Sequence, residues 1–396
     1  MDDVTAHDNE HQELREEVRA FLAEHMPAPD DVPVDFDAYV EFLRGWQRRL
    51  HEARLVGLTW PAEYGGRGAP QAEQIVVNEE FARAEAPRVI GFMGLDVLGP
   101  SIVEYGTDEQ RARYLEPILS ARELWCQGFS EPGSGSDLAS LRTRAVDAGD
   151  HFVLDGQKIW TSFATHARWC SVLARTDPDA PPHKGISYLI VDLRSPGIEV
   201  RPLVQVTGDP EFTEVFFDQV EVPKENLLGP LHGGWQMAMH TLAHERGPAA
   251  LATQVQLRVR LERLIREAAL VPRFGRPAIE APEIRSALAR AHIAVEGLRC
   301  QTSRSSAIAT ARGAPGLESS VDKVASAAAE QLVMAAAMDV LGAYATHGDG
   351  ADWGISTARW QHGYLYGRAS SVYGGSLQIQ RNILAERVLG LPRSAR

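Results

Sequence analysis

The sequence predicts an α+β chain in three parts: a helical segment, a middle β domain and a closing helical bundle. Three observations lead there. Apolar residues recur at helical spacing through the first third. From about residue 125 the pattern changes to short alternating runs separated by turn residues. From Gly234 onward long Ala-, Leu-, Glu- and Arg-rich amphipathic stretches return. Regular alternation of strand and helix is missing, which argues against a doubly wound sheet. A chain of 396 residues is also too long for one simple core. The expected boundaries are 1–124, 125–232 and 233–396.

In the first part Leu14, Val18, Phe21 and Leu22 share a helical face, and Pro27 closes the run. Trp46, Leu50, Ala53 and Val56 continue the pattern. The glycine-rich stretch 60–68 breaks it. Residues 73–84 and 109–119 read as helices, the second capped by Thr107. In the middle part 142–147, 151–154 and 157–160 read as strands, with Asp155-Gly156 as the turn of a hairpin. Further strands are expected at 170–175, 186–192 and 214–217, and 177–182 is a polar loop. These pieces predict a barrel or sandwich of antiparallel hairpins. The last part predicts helices at 235–270, 282–312, 317–344, 352–371 and 376–388, a succession that makes a bundle.

Composition narrows the function classes. Hydrophobic residues make up 44% and charged residues 23%, ordinary values for a globular protein. The formal charge of -13 disfavours nucleic acid as a partner. Cys126, Cys170 and Cys300 lie far apart in sequence, without the spacing of a metal knuckle or redox motif, which fits a reducing cytoplasm. No apolar run is read as approaching membrane-spanning length, and the acidic N-terminus is unlike a secretory signal.

Gly133-Ser-Gly-Ser resembles part of a dinucleotide loop, but Leu138 stands where a third glycine belongs and no βα unit surrounds it. The cluster reads either as a phosphate or flavin cradle or as a tight surface turn. His240 and His244 stand four apart, and Pro248 occupies the position where a zinc-protease motif needs its second histidine. No metal is expected, and both histidines read as packing or pocket-wall residues. Glu245 shares a helical face with Ala238, Leu242 and Ala249. An acid there is either a functional base of raised pKa or the partner of Arg246 or another basic residue.

Residues 60–66, 129–138, 156–162, 216–223 and 373–390, in that order and at that spacing, make the chain resemble the acyl-CoA dehydrogenase family end to end. The resemblance implies an N-terminal helical domain, a middle β-barrel domain and a C-terminal four-helix bundle, with FAD held between the β domain and the bundle. It implies α,β-dehydrogenation of an acyl-CoA thioester: a Glu carboxylate removes the α proton, the β hydride passes to flavin N5, and electrons leave to an electron-transfer flavoprotein. Phe129, Ser130, Ser136, Trp160 and Ser162 match the family's flavin-contacting positions, and Ser136 also matches a pantetheine-facing one. Many members carry the base in a Tyr-Glu-Gly-Thr motif, where this chain has Gly374. The branch typified by isovaleryl-CoA dehydrogenase places it beside an Arg on the earlier bundle helix, here Glu245 and Arg246. The substrate side is thus assigned Ser136, Leu242, Arg246 and Gly374. Met93, Leu95, Met239 and Leu242 are read as either acyl wall or plain core, and Phe163 as either narrowing the pocket or restraining the flavin.

Relatives handle short, branched, aryl and steroid side-chain thioesters, and the pattern is most like the branch for bulky or ring-derived acyl-CoAs. A carrier-protein thioester dehydrogenase, a flavin oxidase or monooxygenase, and a non-catalytic subunit are the alternatives. Family homotetramers share each FAD across an interface through an Arg-x-x-Phe-Gly motif, which here reads Val271-Pro-Arg-Phe-Gly, and through a Gln-x-x-Gly-Gly loop, which here ends in Gly342-Ala343. Arg273 is the expected substitute for the missing Arg. The expectation is a homo-oligomer, dimer or tetramer, held close to an α2β2 heterotetramer with a second chain of the same family.

Overall fold

The computed structural model describes residues 11–33, 35–312, 316–347 and 356–393, apart from the side chains at 29, 243–250 and 310. The chain divides into two compact units, Met1–His244 and Glu245–Arg396.

The first unit opens with helices α1 (Gln12–His25), α2 (Phe36–Glu52) and α3 (Gln71–Arg83). Val18, Leu22, Trp46 and Leu50 are buried in its core, as their helical spacing requires. Asp35 caps α2 by accepting from the Ala38 N–H, and the helix stops at Glu52, short of Val56. Between Met93 and Leu98 the backbone forms a π-helical turn that runs into α4 (Gly99–Tyr105). Neither segment was expected from the sequence, because glycines and a proline interrupt its pattern. Gly99 is needed here, since a Cβ would lie 2.1 Å from the Trp60 ring. Helix α5 (Asp108–Leu119) begins with a capping box between Thr107 and Gln110. The Gln110 amide also donates to the carbonyls of Glu225 and Leu227, fastening α5 to the β domain.

The strands are β1 (Trp125–Gly128), β2 (Arg144–Asp147), β3 (His151–Ser162), β4 (Trp169–Arg175), β5 (Ile186–Asp192), β6 (Ile198–Leu203), β7 (Phe212–Pro223) and β8 (Leu227–Leu228). They pair in the order β6-β7-β3-β2-β4-β5-β8, with β1 parallel to β4. The sheet does not close, which corrects the expected barrel: among the described residues β6 and β8 remain separate ends of the path. The weak point is the β2–β4 junction, made by the single pair Arg144–Arg175.

The expected hairpin at Asp155-Gly156 is also corrected. Strand β3 runs straight through it, with a bulge between Leu154 and Gly156 against β7. The turn lies earlier, where the Ala148 N–H reaches the His151 carbonyl and Gly149 takes φ 101. Strands β4 and β5 are buried along most of their length, so they read as continuous apolar runs rather than alternating ones. One face, including Cys126, Cys170, Val172, Leu189 and Val215, forms the interior of the β domain. The other, including Trp125, Phe129, Trp169, Leu173 and Tyr188, packs on the N-terminal helical core.

Helix α6 (Gly234–Ala268) follows. The second unit then contains the short ladder β9 (Pro272–Arg273) with β10 (Arg276–Pro277), and helices α7 (Pro282–Arg312), α8 (Glu318–Leu341), α9 (Thr357–Tyr366) and α10 (Leu377–Ile383). Helix α9 is shorter than the expected 352–371, whose start lies outside the described residues; a 3-10 turn at Ala369–Ser371 follows it. By length and composition the stretch Glu318–Thr346 could cross a membrane, contrary to the sequence reading. Its Val333, Met334, Ala336, Ala337, Val340 and Leu341 are instead buried in the bundle core with Leu261, Leu264 and Trp360.

Candidate active site

The site residues of the first unit gather around β3. A regular strand would place Lys158, Trp160 and Ser162 on one face. A second bulge intervenes, since Ile159 pairs with Glu214 and Thr161 with Thr213, leaving Trp160 over with φ 61. The consequence is an inversion. Lys158 is fully buried, whereas Trp160 turns outward, 59% exposed, its ring edge-on to Phe212 at 6.1 Å. An exposed indole held in the left-handed backbone region is a costly arrangement for packing alone, and it offers a flat apolar wall to a planar ligand.

The segment 129–143 lies beside this strand. The Ile159 N–H donates to the Ser130 carbonyl at 2.9 Å. Phe129 is buried edge-on to Tyr188 at 5.8 Å. Ser130 and Ser162 are half-buried, and Ser136 is exposed farther along the loop. Among the described residues the hydroxyls of Ser130, Ser136 and Ser162 have no hydrogen-bond partner. Gly133 and Gly135 have negative φ, and a Cβ at either would meet nothing within 4 Å. Neither backbone strain nor internal packing therefore demands glycine there, and the open space leaves the backbone accessible to a ligand.

Glu131 and Lys158 fall within the stretches 129–138 and 156–162, but the sequence alone assigns them no role. The Lys158 ammonium donates to Glu131 Oε1 at 2.8 Å and to the Phe129 carbonyl at 3.1 Å. Glu131 also accepts from the N–H groups of Arg142 at 2.7 Å and Thr143 at 2.8 Å. Burial opposes ionisation of Glu131, but Lys158 and these donors outweigh it and hold the carboxyl below its usual value. Burial lowers the Lys158 pKa, and Glu131 opposes that shift.

On β1 the Gln127 side-chain nitrogen is buried without a partner, an unspent donor two residues before Phe129. An outward indole, partnerless hydroxyls, a buried amide donor and uncrowded glycines together fit the ring and polar groups of FAD. Trp160 would flank the ring, and Ser130, Ser162 and Gln127 would supply donors. Phe163 does something else. It is buried, stacked on Phe36 with ring centres 6.1 Å apart, and lies beneath the Arg88 guanidinium.

Other expected residues are distributed as follows. Met93 and Leu95 are buried in the helical core, Met239 is 39% exposed and Leu242 is half-buried. His240 is packed, with Nδ1 3.3 Å from the Ser101 hydroxyl and its ring edge-on to Tyr105. His244, Glu245 and Arg246 lie within α6, but their side chains fall outside the described residues.

In the second unit the Arg273 guanidinium donates to the Asp339 carbonyl at 3.0 Å and pairs with Glu283 at 3.3 Å. Phe274 beside it is 98% exposed. Gly374 and Gly375 take φ 61 and 90. The buried Gln380 amide donates to both their carbonyls, and the Lys323 ammonium sits over the Tyr373 ring at 4.1 Å. No group of metal-ligating side chains occurs among the described residues.

A further acid, Asp96, escaped the sequence reading because it sits in the unexpected π-helical turn. Water reaches its side chain, yet dehydration by the surrounding protein pushes its pKa up to about 6. Among the described residues it has no hydrogen-bond partner. The folded pKa lies above the ordinary 3.8, so the protonated form favours folding and ionisation opposes it as pH rises through that window. Asp96→Asn should therefore melt higher than the parent at about pH 8, with the gap narrowing as pH falls below about 6 and closing only below the ordinary 3.8. Melting curves across that range check it, and a gap that widens in acid contradicts it.

Comparison with known proteins gives consistent matches along the chain. The family models for the acyl-CoA dehydrogenase N-terminal, middle and C-terminal domains match residues 8–122, 126–220 and 232–389. The chain is 42% identical over 397 residues to acyl-CoA dehydrogenase IpdE1 of Mycobacterium tuberculosis (strain ATCC 25618 / H37Rv), covering 97% of this chain and 99% of that one. Among solved structures, the Tcur3481-Tcur3483 steroid ACAD superposes with TM-score 0.85 at 31% identity, covering 97% of this chain and 98% of that one. The ChsE4-ChsE5 complex from Mycobacterium tuberculosis gives 0.84 at 30% identity, covering 98% of each chain.

Proposed function

This chain belongs to the acyl-CoA dehydrogenase family of FAD-dependent oxidoreductases, and on that premise we propose that it desaturates a bulky, ring-bearing acyl-CoA with Glu245 as the base. The observation that carries the flavin side is Trp160, turned outward by a bulge beside the partnerless hydroxyls of Ser130 and Ser162. FAD, when bound, supplies the hydride acceptor for the β carbon.

The chain's own part is proton transfer and orientation. The Glu245 carboxylate takes the α proton. The charge that develops on the thioester oxygen needs a donor, and the N–H of Gly374 is assigned to it. Gln380 supports that assignment by holding the carbonyls of Gly374 and Gly375, which limits how the loop can turn. Ser136 is assigned to the pantetheine, and Leu242 and Arg246 to the substrate side.

The ring-bearing acyl group is supported by likeness to a structure named a steroid ACAD. An electron-transfer flavoprotein is the proposed acceptor. For assembly we keep a homo-oligomer. The nearly bare Phe274 ring next to Arg273 is an apolar group for a second copy to cover. Arg273 would then exchange Glu283 for the cofactor phosphates.

One purification and one titration test this. Expressed alone, the chain should be yellow with about one FAD per subunit, and anaerobic ring-bearing acyl-CoA should bleach the flavin band faster than a straight-chain thioester. Equal or reversed rates overturn the substrate class. A colourless dimer that takes up half-stoichiometric FAD only with a second family chain overturns the homo-oligomer.

A further inference from the structure

We propose that the buried Lys158–Glu131 pair is a positioning device that locks the Ser130 loop to the strand carrying Trp160, so that the two flanks of the flavin face are set by one ionic contact. This rests on the reading of Phe129, Ser130, Trp160 and Ser162 as the flavin face.

The pair reaches both ends of the loop. At its start Lys158 donates to the Phe129 carbonyl, and the Glu131 and Ser134 backbones bond each other. At its end Glu131 accepts from the N–H groups of Arg142 and Thr143, where β2 is about to begin. The strand side is equally short, because Lys158 is two residues before Trp160 and Ile159 between them bonds the Ser130 carbonyl. Lys158 faces inward just before the bulge that turns the indole of Trp160 outward.

Both charges are expensive to bury, with Lys158 fully buried and Glu131 at 9% exposure. Hydrophobic residues of similar volume would serve stability as well. What an apolar pair would not supply is the directional set of bonds that ties Phe129, Glu131, Arg142 and Thr143 to one strand. The loop's own bonds, from the Ser134 hydroxyl to the Asp137 carbonyl and from Arg175 to the Ala139 carbonyl, shape its far half, whereas the Lys158–Glu131 pair is what joins Phe129 and Glu131 to the strand carrying Trp160.

The test uses the full-length holoprotein with Lys158→Met, the double variant Lys158→Met/Glu131→Gln, and Trp160→Ala. The readouts are melting by circular dichroism, the FAD dissociation constant, and flavin fluorescence, which indole contact quenches. In Lys158→Met, FAD should bind about tenfold more weakly and fluoresce more strongly in the folded protein. The double variant, which buries no charge, should recover melting but not affinity. If Lys158→Met does not fold, the double variant alone is read. Affinity within about twofold of the parent and unchanged fluorescence in the folded variant overturn the positioning role, provided Trp160→Ala alters both. If Trp160→Ala alters neither, the flavin-face reading falls first and the positioning role with it.

Discussion

Glu245→Gln should slow reduction of the bound flavin by acyl-CoA about a thousandfold, in line with the loss of a general base. The protein should stay yellow, because the residues assigned to the flavin face lie on β3 and in the 129–143 segment. Gln preserves the length of the side chain and one acceptor oxygen, but it carries no charge and cannot take up the proton. Stopped-flow bleaching under anaerobic conditions is the measurement, and a rate within a few-fold of the parent would reject Glu245 as the base. Gly374 explains why the base is not expected in the C-terminal loop. Its φ of 61 is a conformation that a Glu enters at a cost of about 1 kcal/mol, and the Gln380 clamp holds the loop in that form.

Gly156→Ala should destabilise the middle domain by about 3 kcal/mol, the sum of two separate faults. At φ 146 the backbone is in a region that L side chains rarely enter. The added Cβ would also lie 2.5 Å from the Thr143 hydroxyl and 2.7 Å from its Cα, a backbone atom that cannot swing aside. Thr143 is the residue whose N–H bonds Glu131, so the damage should reach the flavin loop as well. Urea unfolding followed through the domain's tryptophans reads the first effect, and retained FAD per subunit reads the second. A midpoint equal to the parent's would show that the bulge relaxes without cost.

The helical parts were legible because their periodicity is local. Val18, Leu22, Trp46 and Leu50 fall on buried faces, and Thr107 caps α5 through a side chain only three residues from its partner. The five ordered motifs carried the family and, with it, FAD and the three-domain fold. What escaped was set by pairing between distant strands. Asp155-Gly156 reads as a turn by composition, yet β7 lies alongside and Gln219 supplies both its N–H and its side-chain amide to Asp155, so the strand continues as a bulge. The open sheet likewise depends on where β2 parts from β4, which no local pattern encodes.

The same division holds at the site. The amino-acid sequence by itself determined which residue types are present: Trp160, the serines of the glycine-rich loop, Gly374 and Glu245. Only the tertiary structure decided that Trp160 faces out while Lys158 faces in, because an inserted residue reverses the side on which every later side chain falls. It also decided that Glu131 is paired, since its partners stand 11, 12 and 27 positions away and are joined by β-sheet register rather than by sequence proximity.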